Sequence, residues 1–218
     1  MLGLSPEAVR EKGEETMKRI AVLASGSGSN LQAILDAIER GEIKDAKVAV
    51  VVSDRKNAYA LERARKKEIP VLHLSAKDYP SREEYDRQLH KLLTGKQIDL
   101  VVLAGFMRLM TPYFVAAYPN RILNIHPSLL PSFPGAHGVG DALAYGVKVS
   151  GCTIHFVDEG MDTGPIILQE AVPVYDDDTE ESLQQRIHKL EHRLYPKAID
   201  LWVRDKIKIQ GRRCTIND

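Results

Sequence analysis

Residues 19–30 read RIAVLASGSGSN: an apolar run passes directly into a glycine-serine turn that opens a helix. A short, continuously apolar run suits a strand buried on both faces, and such strands belong to parallel sheets covered by helices on either side. The pattern recurs along the chain. AKVAVVVSD (46–54), IPVLHL (69–74), IDLVVLAG (98–105) and RILNI (121–125) read as further strands. Helical periodicity fills 30–40 and 58–68, and another helix starts near Ser81, where Ser-x-x-Glu to Glu84 has the form of a capping box. Alternation of this kind specifies βαβ units. The strand at 121–125 is ended by His126-Pro127, since the residue before a proline is held extended.

Beyond Gly135 the pattern changes. A glycine-rich loop at 135–140 leads to two strands, 150–159 and 165–174, joined by GMDTG. A long amphipathic helix follows from about Thr179 to Asp205, with Pro196 as a point of disturbance. The predicted fold is α/β: a Rossmann-like, mostly parallel sheet flanked by helices, with an antiparallel C-terminal strand pair and a long C-terminal helix. Residues 1–16 read as an N-terminal extension that catalysis does not need, and 17–218 as a single domain.

Composition excludes several classes of function. Lys+Arg and Asp+Glu both number 30, so the chain lacks the basic excess of a nucleic-acid platform. No apolar run approaches the roughly 20 residues of a membrane span, and the N-terminus lacks the apolar stretch of a signal peptide. With only Cys152 and Cys214, no disulfide framework is implied. A soluble, cytoplasmic protein is expected.

Two places carry chemistry. In Gly26-Ser27-Gly28-Ser29-Asn30, glycines let the backbone approach a ligand, and free N–H groups at a helix start attract phosphate. Leu31 stands where a dinucleotide fingerprint needs its third glycine, and the Walker lysine is absent, so a single phosphate suits the turn better than a dinucleotide. Asn124 and His126 sit at i and i+2 on a strand and therefore share a face at its carboxyl end. An amide donor beside an imidazole suits acyl transfer: Asn124 to hold an oxyanion, His126 to move a proton. Asp162, in EGMDTGP (159–165), lies in a turn able to bring a carboxylate to that edge, where it would favour the imidazolium and fix its tautomer. Asp158 and Glu159 compete for that role.

SGSGSN after the first strand, LAGFMR (103–108), NIHPSLLP (124–131), GCTIHFVDEGMDTGPII (151–167) and LEHRLYP (190–196) occur in that order. Together they resemble the phosphoribosylglycinamide formyltransferases, folate-dependent transformylases of purine synthesis, over roughly residues 17–210. The resemblance implies direct transfer of a formyl group from 10-formyltetrahydrofolate to the glycinamide amine, without metal or covalent enzyme intermediate. It makes Asn124 the oxyanion donor, His126 the proton donor, and Asp162 the group that sustains the protonated histidine and relays the proton through water. It gives Gly28, Ser29 and Asn30 to the ribonucleotide phosphate, His188 to the neighbourhood of that phosphate, and Glu191 to the region of the amine. Met107, Arg108, Leu109 and Met110, together with Asp158, Glu159, Gly160, Met161 and Asn124, would form the pterin pocket, with Arg82 facing the glutamate tail. A monomer or a homodimer is compatible with it.

Two positions depart from the family pattern. His188 replaces a frequent glutamine or lysine, giving a weaker and pH-dependent donor. Gly138-Val139-Gly140-Asp141 replaces a stretch that often carries alanine and glutamine. His188-x-x-Glu191-His192 formally matches a zinc motif, but little chain follows to supply a further acidic ligand. His126, His137 and His155 suggest a metal cluster only loosely, because a mid-strand His155 suits a hydrogen-bonded core histidine. Cys152 reads as a core residue. Methionyl-tRNA formyltransferases share the SLLP region but usually add a tRNA-binding domain. Formyltetrahydrofolate hydrolases usually add an N-terminal regulatory domain. A catalytically silent folate- or phosphate-binding module is the reading from outside enzymology.

Overall fold

The computed structural model describes residues 17–217; the N-terminal extension at 1–16 lies outside the described residues. One nine-stranded sheet organises the chain, in the order β3-β2-β1-β4-β5-β6-β7-β9-β8. Strands β1 (Lys18–Leu23), β2 (Ala46–Ser53), β3 (Val71–His73), β4 (Leu100–Leu103) and β5 (Ile122–His126) run parallel. Helices α1 (Ser29–Glu39), α2 (Tyr59–Lys66), α3 (Arg82–Gly95) and α4 (Pro112–Ala117) connect them, a short 3₁₀ turn preceding α3. β6 (Val149–Phe156) and β7 (Ile166–Pro173) then add antiparallel to β5 and to each other. The long helix α6 (Glu180–Val203) crosses back over the sheet, following the smaller α5 (Gly138–Tyr145). The predicted fold class is the observed one.

Strand burial explains the parallel arrangement. Ile20, Ala21, Val22 and Leu23 of β1 are wholly buried, and alternate residues enter different cores. Ile20 and Val22 pack with Leu31, Ile34, Leu61, Ile187 and Tyr195, under α1, α2 and α6. Ala21 and Leu23 pack with Tyr85, Leu89 and Phe114, under α3 and α4. A continuous apolar strand is what two covered faces require. At the start of α3 the expected capping box forms only in its Ser81 half, and a full one stands at α6. Ser81 Oγ accepts from the Glu84 N–H at 3.1 Å, and Thr179 and Ser182 form a reciprocal capping box at the start of α6.

Three parts differ from the sequence reading. The loop expected at 135–140 turns helical at Gly138, because Val139 and Ala142 bury their side chains there. Pro196 is buried inside α6 without ending it; the helix stops at Val203 rather than Asp205. A hairpin, β8 (Ile207–Gln210) and β9 (Arg213–Ile216), closes the far edge of the sheet, and its two-residue turn has Gly211 in the left-handed region at φ 60°. Neither hairpin strand has the long apolar run that marks the central ones.

β1 lies between β2 and β4, so the chain leaves it on one side and returns on the other. Ligands of open α/β sheets bind at the carboxyl ends of strands at such a reversal. Leu23 of β1 pairs with Leu103 of β4, and Leu103 with Asn124 of β5. The turn after β1, the loop after β4 and the end of β5 therefore share one sheet edge. Tyr195 fixes α6 above it: its wholly buried hydroxyl donates toward the Leu103 and Leu123 carbonyls at 2.9 and 3.0 Å.

Candidate active site

Asn124 and His126 project from the same face of β5, and the antiparallel partner β6 sets His155 directly opposite Asn124. His155 is 1 % exposed and His126 4 %. The His155 Nδ1 lies 2.8 Å from the Phe156 carbonyl, which can only accept, so Nδ1 carries the hydrogen. In the neutral ring Nε2 is then an acceptor, and the Asn124 Nδ2 amide donates to it at 3.1 Å. This bond fixes which end of the Asn124 amide presents its hydrogens. His155 thus joins the site as a residue that the sequence reading left in the core. Its signal was the cross-strand pairing, which depends on a register invisible in the sequence.

His126 is fixed in the same way. Its Nε2 sits 2.7 Å from the Phe133 carbonyl and so holds a hydrogen in both protonation states. The nitrogen free to gain or lose a proton is Nδ1, and it faces Asp162 Oδ2 at 3.5 Å. Gly138 closes this arrangement from above. A Cβ at that position would stand 3.1 Å from His126 Nε2 and 3.2 Å from the Phe133 oxygen.

Asp162 meets both histidines and the amide. Its Oδ1 lies 3.4 Å from Asn124 Nδ2 and 3.7 Å from His155 Nε2, and its Oδ2 accepts the Gly135 N–H at 2.8 Å. Its backbone is held in the left-handed region at φ 55°, a strained conformation that aspartate tolerates better than most residues. Burial raises the Asp162 carboxyl, but the His155 ring in its protonated form, the Gly135 N–H and the charge of His126 outweigh it and hold the group below its ordinary value. Asp158 and Glu159 do not take this position. Asp158 turns inward on its own loop, accepting from the Gly160 N–H at 3.1 Å and the Thr163 hydroxyl at 2.6 Å.

A second cluster gathers around α1. Gly28 precedes the helix at φ 72°, and a Cβ there would stand 2.7 Å from Ala60 Cα, so glycine is required on both counts. No side chain caps α1 and its first turn holds no acidic residue, which leaves its positive end open to an anion. Asn30 donates from Nδ2 to Glu191 Oε2 at 2.9 Å, while its buried Oδ1 has no partner. Burial pushes Glu191 above the usual carboxylate range, against the Asn30 donor and the His188 charge. His188 Nε2 lies 3.8 Å from Glu191 and its ring stacks on His192 at 6.0 Å. Among the described residues no group of three or more His, Cys, Asp or Glu is arranged to hold a metal ion, this helix face included. Burial also raises the Cys152 thiol to about 12, in keeping with a core residue.

The loop after β4 forms the third part. Phe106 and Met110 are buried in the core beneath it, whereas Met107 and Leu109 are 56 % and 53 % exposed. Arg108 lies over the Tyr85 ring at 4.5 Å. Arg82 donates to the Leu109 carbonyl at 3.1 Å, bracing the loop from α3. Met161 is 47 % exposed, and a Cβ on Gly135 would contact its sulfur at 3.8 Å. Exposed apolar side chains thus stand near a compact polar centre.

Comparison with known proteins gives a consistent answer. The formyl transferase family model matches residues 18–199. The chain is 51 % identical over 187 residues to the trifunctional purine biosynthetic protein adenosine-3 of Drosophila melanogaster, spanning 85 % of this chain but only 14 % of that protein. It is 46 % identical to the phosphoribosylglycinamide formyltransferase of Bacillus subtilis, covering 84 % of this chain and 93 % of that one. The crystal structure of glycinamide ribonucleotide transformylase 1 from Symbiobacterium toebii superposes with a TM-score of 0.91 at 54 % identity, over 95 % of this chain and 96 % of that one.

Proposed function

Because the chain belongs to the formyl transferase family, we propose that it transfers the formyl group of 10-formyltetrahydrofolate to the amine of 5-phosphoribosylglycinamide, a step of purine biosynthesis. The observation that carries this reading is the convergence of Asn124, His126 and Asp162 on one sheet edge. The open α1 start and the apolar loop after β4 occupy the same edge.

Gly28, Ser29 and Asn30 hold the phosphate through backbone N–H groups, with His188 beside them and Glu191 toward the amine end. Met107 to Met110 and the 158–162 loop hold the pterin; Arg82 faces the glutamate tail with the part of its guanidinium not bound to Leu109. The amine lone pair then forms a bond to the formyl carbon while the carbonyl π pair moves onto oxygen. Asn124 Nδ2 donates to that oxyanion, using the hydrogen that otherwise spans 3.4 Å to Asp162. Collapse of the intermediate breaks the bond to N10 of the folate, which takes its proton from His126 Nδ1. The ammonium formed by attack returns a proton to that nitrogen through water beside Asp162. Such a donor is worth on the order of 10²–10³ in rate, and the acid/base group roughly 10²–10⁴.

The reacting groups lie within residues 17–218, which act as one catalytic domain on small molecules in the cytoplasm, as a monomer or homodimer. The test is a product assay with 10-formyltetrahydrofolate, with and without the nucleotide. Tetrahydrofolate released only with the nucleotide, matched by formylated nucleotide, supports transfer. Release without acceptor would assign a hydrolase, and binding without release a silent module.

A further inference from the structure

Ser25 ends the buried run of β1 and is 2 % exposed. Its N–H donates to the Gly105 carbonyl at 3.1 Å, and its Oγ accepts the Met107 N–H at 3.0 Å. A hydroxyl that accepts one bond directs its own hydrogen elsewhere, and here it donates to Asp54 Oδ1 at 2.6 Å. Asp54 follows directly on β2, so three adjacent strand ends are joined through one hydroxyl. Donation to a carboxylate polarises the hydroxyl and makes it a stronger acceptor for the Met107 N–H. The loop it grips is held farther along as well. The Leu109 carbonyl is bound by Arg82, and Asp86 accepts both the Thr111 N–H and its hydroxyl at 2.7 Å. Between these points Met107 and Leu109 turn their side chains outward.

We infer that Ser25 and Asp54 are positioning residues for the folate: the carboxylate–hydroxyl–amide relay locks the backbone of 105–108, so that the loop presents its outward groups in the register the pterin requires. Neither residue touches the reacting atoms. The inference rests on the assignment of the 107–110 loop to the folate, and its test separates the two.

Steady-state kinetics on Ser25→Ala should show the KM for 10-formyltetrahydrofolate rising roughly 10-fold, the scale of one lost buried acceptor. The kcat and the KM for the nucleotide should stay within about 2-fold, because both act through groups elsewhere on the edge. Asp54→Ala should move the folate KM in the same direction, and it carries the test if Ser25→Ala does not fold. Asp54→Asn, whose amide oxygen still accepts from Ser25, should restore the folate KM toward wild type. Hydrogen exchange supplies the second readout: Ser25→Ala should speed exchange of the Met107 amide, and tetrahydrofolate should slow exchange across 105–110 in the unaltered protein. If tetrahydrofolate leaves that segment unprotected, the folate assignment falls and takes the positioning role with it. If the segment is protected but both alanine variants leave the folate KM unmoved, or raise both KM values alike, the positioning role alone is overturned.

Discussion

The Asn124 amide donates across the β5–β6 ladder to His155 Nε2 at 3.1 Å, and this bond decides which end of the amide carries the site's hydrogens. An asparagine amide can turn end for end, and the turned form would aim a carbonyl at the proposed oxyanion. His155 prevents this because its Nδ1–H is committed to the Phe156 carbonyl, leaving Nε2 as the acceptor.

His155→Phe should therefore lower kcat about 10-fold or more, less than the roughly 10²–10³ expected for removing the Asn124 donor itself. Steady-state rates of His155→Phe, Asn124→Ala and the double variant check it. The two losses should be far from additive, since His155 acts through Asn124. Additive losses would mean that His155 serves the reaction by another route.

Asp162→Asn should keep the fold and lower turnover by about 10²-fold, the low end for disabling an acid/base pair. The carboxylate oxygen that faces His126 Nδ1 at 3.5 Å is the one replaced, so the loss should fall on kcat rather than on the KM for either substrate. Stability follows from the shift of the carboxyl itself. The folded Asp162 carboxyl sits below its ordinary value, so its stabilisation is present above the unfolded value, near 3.9, and is lost as pH falls through the folded one. Denaturation of wild type and variant should thus converge in acid. A kcat that does not move would remove Asp162 from the proton path.

Much of the geometry of this candidate site was legible in the sequence, and the reason differs from residue to residue. Gly28 was readable as a tight turn between a buried strand and a helix, and the structure gives it φ 72° against Ala60. That Asn124 and His126 share a face was readable from strand periodicity, since that geometry is local. His155 was not, because only the antiparallel register brings it opposite Asn124. Likewise Asp162 stood first for the carboxylate with Asp158 and Glu159 as competitors, and the loop's internal bonds, which turn Asp158 inward, depend on a fold of 158–163 that the sequence does not spell out. The hairpin at 207–216 was missed because each strand is short and half exposed, so neither carries the apolar run that marked β1, β2 and β4.

Glu191→Gln should stabilise the protein at neutral pH while weakening nucleotide binding. Burial raises the folded carboxyl above its unfolded value near 4.3, so the stability associated with its protonated form is complete below that value and lost as pH rises through the folded one. A glutamine keeps an acceptor for Asn30 Nδ2 without a buried charge. Thermal melts from pH 4 to 8 should show the variant gaining on wild type as pH rises. The KM for phosphoribosylglycinamide should rise severalfold if Glu191 serves the amine. A destabilised variant at pH 8 would show that the charge itself is what Asn30 and His188 hold in place.

Gly138→Ala separates catalysis from stability most cleanly. Gly138 is the first residue of α5, where replacing glycine with alanine ordinarily stabilises by roughly 0.5–1 kcal/mol through chain entropy and helix propensity. The new Cβ, however, would stand 3.1 Å from His126 Nε2 and 3.2 Å from the Phe133 oxygen, so that hydrogen-bonded pair must yield by a few tenths of an ångström. The helix gain and the crowding oppose each other, leaving the melting temperature nearly unchanged. The proposed reaction has no such compensation, because in it His126 Nδ1 must stay in line with both Asp162 and the departing nitrogen, and displacements of about 1 Å cost on the order of 10² in rate. A fall in kcat of about 10-fold at constant melting temperature is expected. An unchanged kcat would show that the His126–Phe133 bond does not set the angle of proton transfer.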